Sequence, residues 1–482
     1  MSEQVSARVE YMIDEHAARR PDHTALIFEN RSWTYARLRA EVDRRAALLV
    51  ATGLQPGDVV ATTVPPCDDV AIAFFACCRA DLTFLSLSPT LATVEQAALL
   101  ARAGTRLVLT ADGWTHPVYP GVSCLPLALP GTPDVAAMAE AAHRSATGDA
   151  EAIAIIQPTS GTTGVTPKLV QTPHRTLTWL RATPIWWASP MAVHYYPYPA
   201  LFAVRGVCDG MWQGGTIVLS QATEPQRMEA EMAARGVTAL GTVPAVVRLL
   251  GAQRRPPRRL ALVVIRTVAA TLPPVVQRAA ERRYGATIVQ EYACTEGGAL
   301  LGTTYGGAPE GSIGRPYPGV TVRLVDEEGA DVADGAIGEL IVRSPGMMHG
   351  YLDSPAATAR TLRDGWLWTG DLAHRDAHGF YFLEGRRALR INVGGHKVAP
   401  EEVEAVLEQH PSVREAAVVG AVDAVRGEVV RAVIVSRGEP PSARELRRFC
   451  HERLAGYKVP RYWEFRDDLP RSPLGKVLRQ QL

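Results

Sequence analysis

The sequence predicts an α/β protein: a large N-terminal domain of α/β sheets plus a β subdomain, followed by a small α+β C-terminal domain. Three observations predict it. From Trp33 to about Ser220, helical patterns alternate with short β-branched runs; after Gly311 the runs become short, alternating and separated by Gly and Asp turns; from about Arg387 a helix, two strands and another helix follow. Alternating helices and strands imply parallel strands joined by crossovers, whereas tight turns imply antiparallel ones. A chain of 482 residues also exceeds what one hydrophobic core usually serves.

Each element follows from its own pattern. The opening MSEQVSARVEYMIDEHAARR sets apolar residues on one helical face with charges between them, unlike a signal peptide. TYARLRAEVDRRAALLVATGL reads as a helix capped by Thr34 and stopped by Gly53, and PGD turns it into the strand VVATTV. VEQAALLARAG and RLVLTAD repeat that arrangement. Segment 131–150, rich in Ala and Gly, reads as a surface connection. ALGTVP, LALVVIRTV and ATIVQEYAC are further strands with helical segments between them. VTVRLVD, GELIVRS and GFYFLEG form the antiparallel part. EEVEAVLEQH and ARELRRFCHERL are helices that bracket the strands REAAVVGAVD and EVVRAVIVS. The chain contains no internal repeat.

Composition narrows the function. With 51 basic and 50 acidic residues the net charge is +1, which gives no field to attract nucleic acid or an anionic membrane. No window approaches the roughly 18 apolar residues of a membrane span. The seven cysteines are scattered and form no C-x-x-C pair, which fits a reduced, cytoplasmic setting.

Four motifs carry chemistry. TSGTTGVTPK, from Thr159 to Lys168, follows the apolar run AIAII and crowds hydroxyls and glycines ahead of a lysine. Backbone N–H groups of such a turn form an anion nest, to which Ser160, Thr162 and Thr163 add donors, Gly161 and Gly164 add freedom, and Lys168 adds a point charge. It lacks the G-x-x-x-x-G-K-[ST] order of the common nucleotide hydrolases. QEYACTEGG puts Tyr292, Thr295 and Glu296 at a strand end, where ligands of open α/β sheets bind; a tyrosine ring suits a purine and a carboxylate beside phosphates suits Mg²⁺. DGWLWTGDLAHRD and FLEGRR offer Asp371 to ribose hydroxyls, with Arg386 fifteen residues on. LPRSPLGKVLR carries Lys476 in a glycine-hinged loop near the C-terminus. Singly, the last three are everyday turns and surface charges.

In order and spacing, however, the four together resemble the adenylate-forming superfamily of acyl-CoA synthetases, nonribosomal-peptide adenylation domains and luciferase-like enzymes. The resemblance runs from WTYARL to LGK and includes GSIGRPYPGVTVRLVD and GELIVRSPGMMHGYLDSPAATA. It implies that a carboxylate attacks the α-phosphate of ATP to give acyl-AMP and pyrophosphate, and that a nucleophile then displaces AMP. By the same resemblance Thr159 to Lys168 holds the β- and γ-phosphates, Tyr292 stacks near adenine, Thr295 lies at the α-phosphate and Glu296 binds Mg²⁺. Asp371 holds the ribose with Arg386 supporting it, and Lys476 bridges carboxylate and phosphate. Residues 1–385 become the large adenylation domain, 386–389 the hinge and 390–482 the small mobile domain. Tyr196, Tyr198, Phe202, Ala269, Ala293 and Cys294 surround the acid. ATP and Mg²⁺ are the implied cofactors, with CoA where the acceptor is a thiol.

The chain departs from the family pattern at three places. The hinge reads GRRALR, with Leu389 where an Asp or Lys is usual; the aromatic-His gate P-x-F-H has no counterpart between 195 and 205; and EYACTE has Ala293 where glycine is usual. INVGGHKVAPEEVE keeps Gly394 and Gly395, past which a pantetheine arm can slide. MAVHYYPYPALFAVRG has no carboxylate before Asp209 to pair with an α-ammonium, which disfavours an amino-acid substrate. Seven aromatics between Trp179 and Phe202 suit a planar or hydrophobic acid, or else fill a core. Three outcomes follow for the acceptor and the class: transfer to a thiol of CoA or a carrier pantetheine, transfer to an amine as in CoA-independent amide bond synthetases, or nucleotide binding without turnover. No carrier domain is expected on this chain, which ends shortly after Lys476.

Overall fold

The structure is a computed structural model and describes residues 8–89, 91–111, 122–159, 167–179, 192–197, 201–303, 308–389, 391–393, 396–423, 427–471 and 477–482, with the side chains at 201–203, 205, 388, 392, 396, 397 and 427 left aside. The described residues form two large sheets. The first has nine strands, and its centre is parallel: Thr287–Cys294, Val264–Thr267, Ala239–Thr242, Val193–Pro197, Thr216–Ser220 and Thr24–Phe28 lie side by side. The second has seven strands, with Thr83–Ser86, Val59–Thr62 and Thr105–Thr110 parallel at its centre and the antiparallel hairpin of Ile153–Pro158 and Leu169–Pro173 towards one edge. Buried helices such as Asp68–Arg79 lie among them, and the main core runs from Val9 through Phe74 and Phe75 to Leu219.

The helix that the sequence starts at Thr34 spans Tyr35–Ala51; Thr34 accepts a hydrogen bond from the Arg37 N–H, and Gly53 follows the C-cap at φ +84°. Segment 131–150 is not a surface connection: it contains the helix Val135–Thr147, capped by the Asp134 side chain, which accepts from the Ala137 N–H at 2.7 Å. Alanine is the strongest helix former, and Ala137 and Ala141 are small enough for this helix to pack closely on Tyr35–Ala51. Arg144 is buried there and donates to the Leu54 carbonyl.

After Gly311 the expected antiparallel sheet appears, pairing Thr321–Val325, Gly338–Arg343, Trp366–Arg375 and Tyr381–Arg386. From Ile391 onward a separate core forms around Val403, Leu407, Val418, Ile434 and Leu446, beneath the sheet of Val413–Asp423, Gly427–Ser436 and Tyr462–Arg466. Arg248, on the helix Pro244–Gly251, reaches across to this part: its guanidinium lies 3.6 Å from both Glu408 and Glu415. All seven cysteines are free, and Cys67, Cys77, Cys78, Cys208 and Cys450 are buried. No described helix is long and apolar enough to cross a membrane.

Candidate active site

Neighbouring parallel strands end at one edge, and that edge gathers residues the sequence scatters. Tyr196 lies in Val193–Pro197, Ala269 just beyond Val264–Thr267, and Tyr292 to Glu296 at the end of Thr287–Cys294. Ala269 adopts φ +81°, a conformation that disfavours any side chain and marks a turn held by its surroundings.

The first cluster centres on Asp371. It faces Arg386 in register across the antiparallel pair of Trp366–Arg375 and Tyr381–Arg386, and the Arg386 Nε is 2.9 Å from Oδ1. The Tyr292 hydroxyl donates to Oδ2 at 2.6 Å. The preceding residues fix the carboxylate: the Asp371 N–H donates to Thr369 Oγ1, the Thr369 hydroxyl donates to the Leu340 carbonyl, and Gly370 turns at φ +73°. Burial, then Asp371, pushes the Tyr292 phenol well above its ordinary value, so it stays protonated and donates. Burial draws the Arg386 pKa down, and Asp371 together with Tyr292, Cys294 and Glu296 more than offsets it, so the net shift is upward. Glu339 supports the turn, accepting from the Gly370 N–H at 3.2 Å and pairing with Arg387 at 2.9 Å.

The second cluster joins the two large sheets. Thr159 and Lys168 close the neck of the hairpin that carries TSGTTGVTPK: the Thr159 N–H donates to the Lys168 carbonyl at 2.8 Å, and the Lys168 N–H to Thr159 Oγ1 at 3.2 Å. Lys168 Nζ sits 4.5 Å from the centre of the Tyr351 ring, and the Tyr351 hydroxyl donates to Glu296 Oε1 at 2.7 Å. Tyr351 belongs to the short strand Gly350–Tyr351, which pairs with Leu169–Pro173, and the Met348 N–H donates to the Glu296 carbonyl. Glu296 Oε2 has no hydrogen-bond or ion-pair partner among the described residues, and a half-buried carboxylate oxygen is the donor a hard divalent cation takes, so the residues present fit Mg²⁺. Cys294 lies near both clusters: burial, then Glu296 and Asp371, pushes its thiol up. Thr295 follows in the same turn, and Ala293 is half-buried opposite Ala299.

Tyr196 is spent differently from the expectation. Its ring lies against Gly206 and Gly241, where added Cβ atoms would fall 2.5 Å and 2.2 Å from it, and its hydroxyl donates to the Gly206 carbonyl. It therefore packs as core, beside a buried network in which Arg266 binds Asp209 at 3.2 Å and Glu291 at 2.6 Å, and the Tyr317 hydroxyl donates to Glu291. Leu389 is half-buried at the end of a 3₁₀ turn, Arg387–Leu389. Ser160, Gly161, Thr162, Thr163, Gly164, Tyr198, Gly394, Gly395, Lys476 and the side chain of Phe202 lie outside the described residues. Sequence reasoning assigned no role to Tyr351 or Glu339; Tyr351 stands 55 positions from Glu296, and only the pairing of its strand with the phosphate hairpin brings the two together.

The AMP-binding enzyme family matches residues 13–352, and the AMP-binding enzyme C-terminal domain matches residues 402–476. The chain is 32% identical to a fatty acid–[acyl-carrier-protein] ligase of Streptomyces coeruleorubidus, over 97% of this chain and 94% of that protein. It is also 32% identical to a feruloyl-CoA synthase of Amycolatopsis, over 96% of each. The structure of an o-succinylbenzoate coenzyme A synthetase of Bacillus subtilis in complex with ATP and magnesium ion superposes with a TM-score of 0.87 at 27% identity, covering 98% of both chains. With the fold, the two clusters and these likenesses in agreement, the chain belongs to the AMP-binding enzyme family, the adenylate-forming acid ligases.

Proposed function

We propose that this protein activates an aromatic or hydrophobic carboxylic acid as acyl-AMP, with release of pyrophosphate, and passes the acyl group to the thiol of CoA or of a carrier pantetheine. The observation that carries this reading is the meeting of Tyr292, Asp371 and Arg386 at one corner, with Lys168, Tyr351 and Glu296 tied together at another. Asp371 holds the ribose hydroxyls, braced by Arg386. The Thr159–Lys168 hairpin, with Ser160 to Gly164, receives the phosphates that leave together. Glu296 would hold Mg²⁺, which supplies positive charge where the phosphates carry negative charge. Thr295 sits at the α-phosphate. Lys476 joins the two anions that must meet, offsetting charge where the transition state concentrates it.

Residues 1–385 then act as the adenylation domain, 386–389 as the hinge and 390–482 as the domain that delivers Lys476. Support for a non-amino acid comes from Asp209, the nearest carboxylate, which already faces Arg266 inside the core. The relatives acting on a fatty acid and on ferulate favour a hydrophobic or aromatic acid and a thiol acceptor. Ala269, Ala293 and Cys294 line the acid side, and Gly394 and Gly395 flank the acceptor channel.

A second reading, carried by Leu389, has an amine as acceptor, since an apolar hinge removes the charged residue usual at the rotation point. The discriminating experiment incubates the enzyme with ATP, Mg²⁺ and a panel of aryl and medium-chain acids, adding either CoA or a primary amine, with products read by mass spectrometry. Acyl-CoA supports the thiol reading. Amide formed faster than free acyl-AMP reacts with the same amine supports the second. Absence of pyrophosphate with every acid sinks both.

A further inference from the structure

Tyr351 contacts two opposite charges, one with its ring face and one with its hydroxyl. Lys168 Nζ lies over its face at 4.5 Å, and Glu296 Oε1 receives its hydroxyl at 2.7 Å. The residue is 6% exposed, packs with Val170, Met348 and Ala357, and donates its backbone N–H to Thr358 Oγ1 at 2.9 Å, so it is buried and its backbone is anchored. A direct Lys168–Glu296 ion pair would consume the cation meant for phosphate and the anion meant for metal. An aromatic face holds an ammonium by its quadrupole, and a phenol donates to a carboxylate, so one side chain satisfies each charge without letting them meet.

We propose that Tyr351 is a positioning residue: it insulates Lys168 from Glu296, fixes the plane of the Glu296 carboxylate with Oε2 left for the metal, and ties the phosphate hairpin to the metal-binding turn. This rests on the reading of Glu296 as the Mg²⁺ ligand and Lys168 as a phosphate group. The strand pairing of Gly350–Tyr351 with Leu169–Pro173 makes the tie rigid, since Tyr351 stands opposite Val170, two residues from Lys168.

The test separates the hydroxyl from the ring. Mn²⁺ binding to the full chain with a non-hydrolysable ATP analogue is followed by electron paramagnetic resonance, and metal-free binding of the analogue by calorimetry. Tyr351→Phe should weaken Mn²⁺ binding about tenfold, in the range that lost second-sphere hydrogen bonds cost metal sites, while leaving metal-free binding unchanged. Tyr351→Leu should weaken both, because Lys168 then collapses onto Glu296. Glu296→Gln serves as reference. If Glu296→Gln binds Mn²⁺ as the wild type does, the reading of Glu296 fails; if it loses Mn²⁺ while Tyr351→Phe does not, the role of Tyr351 alone is overturned. Circular dichroism melts confirm that each variant compared is folded.

Discussion

Asp371 accepts from two partners with its two oxygens, a phenol on Oδ2 and a guanidinium on Oδ1. Hydrogen bonds to charged groups are worth about 1.5–3 kcal/mol each, so Asp371→Asn should raise the KM for ATP by roughly 10- to 100-fold. ATP-dependence of pyrophosphate exchange measures it, and an unchanged KM would remove Asp371 from the nucleotide site. Lys476→Ala should cut adenylation by about 10²-fold or more while ATP binding persists, if the lysine stabilises developing charge. Ala269 offers a test of backbone strain. Relief of its φ +81° outweighs the added freedom glycine brings to the unfolded chain, so Ala269→Gly should stabilise the protein by up to about 1 kcal/mol in urea titrations. At this scale the sequence was legible where function needs a side chain with a neighbouring signature: Tyr292 comes from one motif, Asp371 and Arg386 from another, and they meet in space. Tyr351 stayed hidden because its meaning comes from a strand pairing, and Tyr196 looked like a pocket wall because buried and lining aromatics read alike.

The helix Val135–Thr147 shows how an element is misread. Its flanks, Gly131 and the run SATGDA, carry turn residues, and these outweighed an alanine-rich interior that in fact favours helix. Its N-cap gives a clean check: Asp134→Ala removes the acceptor for the Ala137 N–H and should cost about 1 kcal/mol of stability, read by thermal melting. The parallel strands were easier, since β-branched runs between helical patterns leave little alternative. The hairpin of Ile153–Pro158 and Leu169–Pro173 was legible only as a loop after a strand, because nothing local says that the chain returns antiparallel to the same sheet.

For the molecule as a whole, acid is the predicted weakness. Burial holds His194 at about 4 and His174 at about 3, both below the ordinary 6.5, so the unfolded chain binds protons that the folded one refuses. Stability from these two groups is therefore complete above about pH 6.5 and lost as the pH falls towards their folded values. By pH 5 each should have cost about 2 kcal/mol, and comparing urea midpoints at pH 7 and pH 5 for the wild type and His194→Asn checks the share of His194. The large and small domains were each legible as textures of sequence, but the contact between them was not. Arg248 meets Glu408 and Glu415 at 3.6 Å with its side chain 32% exposed, and a solvent-screened pair of this kind holds a domain in place only weakly.

The burial of five of the seven cysteines gives the folded chain a built-in reporter. Burial pushes the Cys67 and Cys450 thiols up to about 11 and the Cys77 and Cys78 thiols further still, so none offers much thiolate near neutrality. A thiol-reactive probe added to native protein would find chiefly the half-buried Cys124, and the mass gained per molecule would count how far the chain has opened. Because burial, Glu296 and Asp371 hold the Cys294 thiol up, its labelling would mark a site that has opened, with no turnover required.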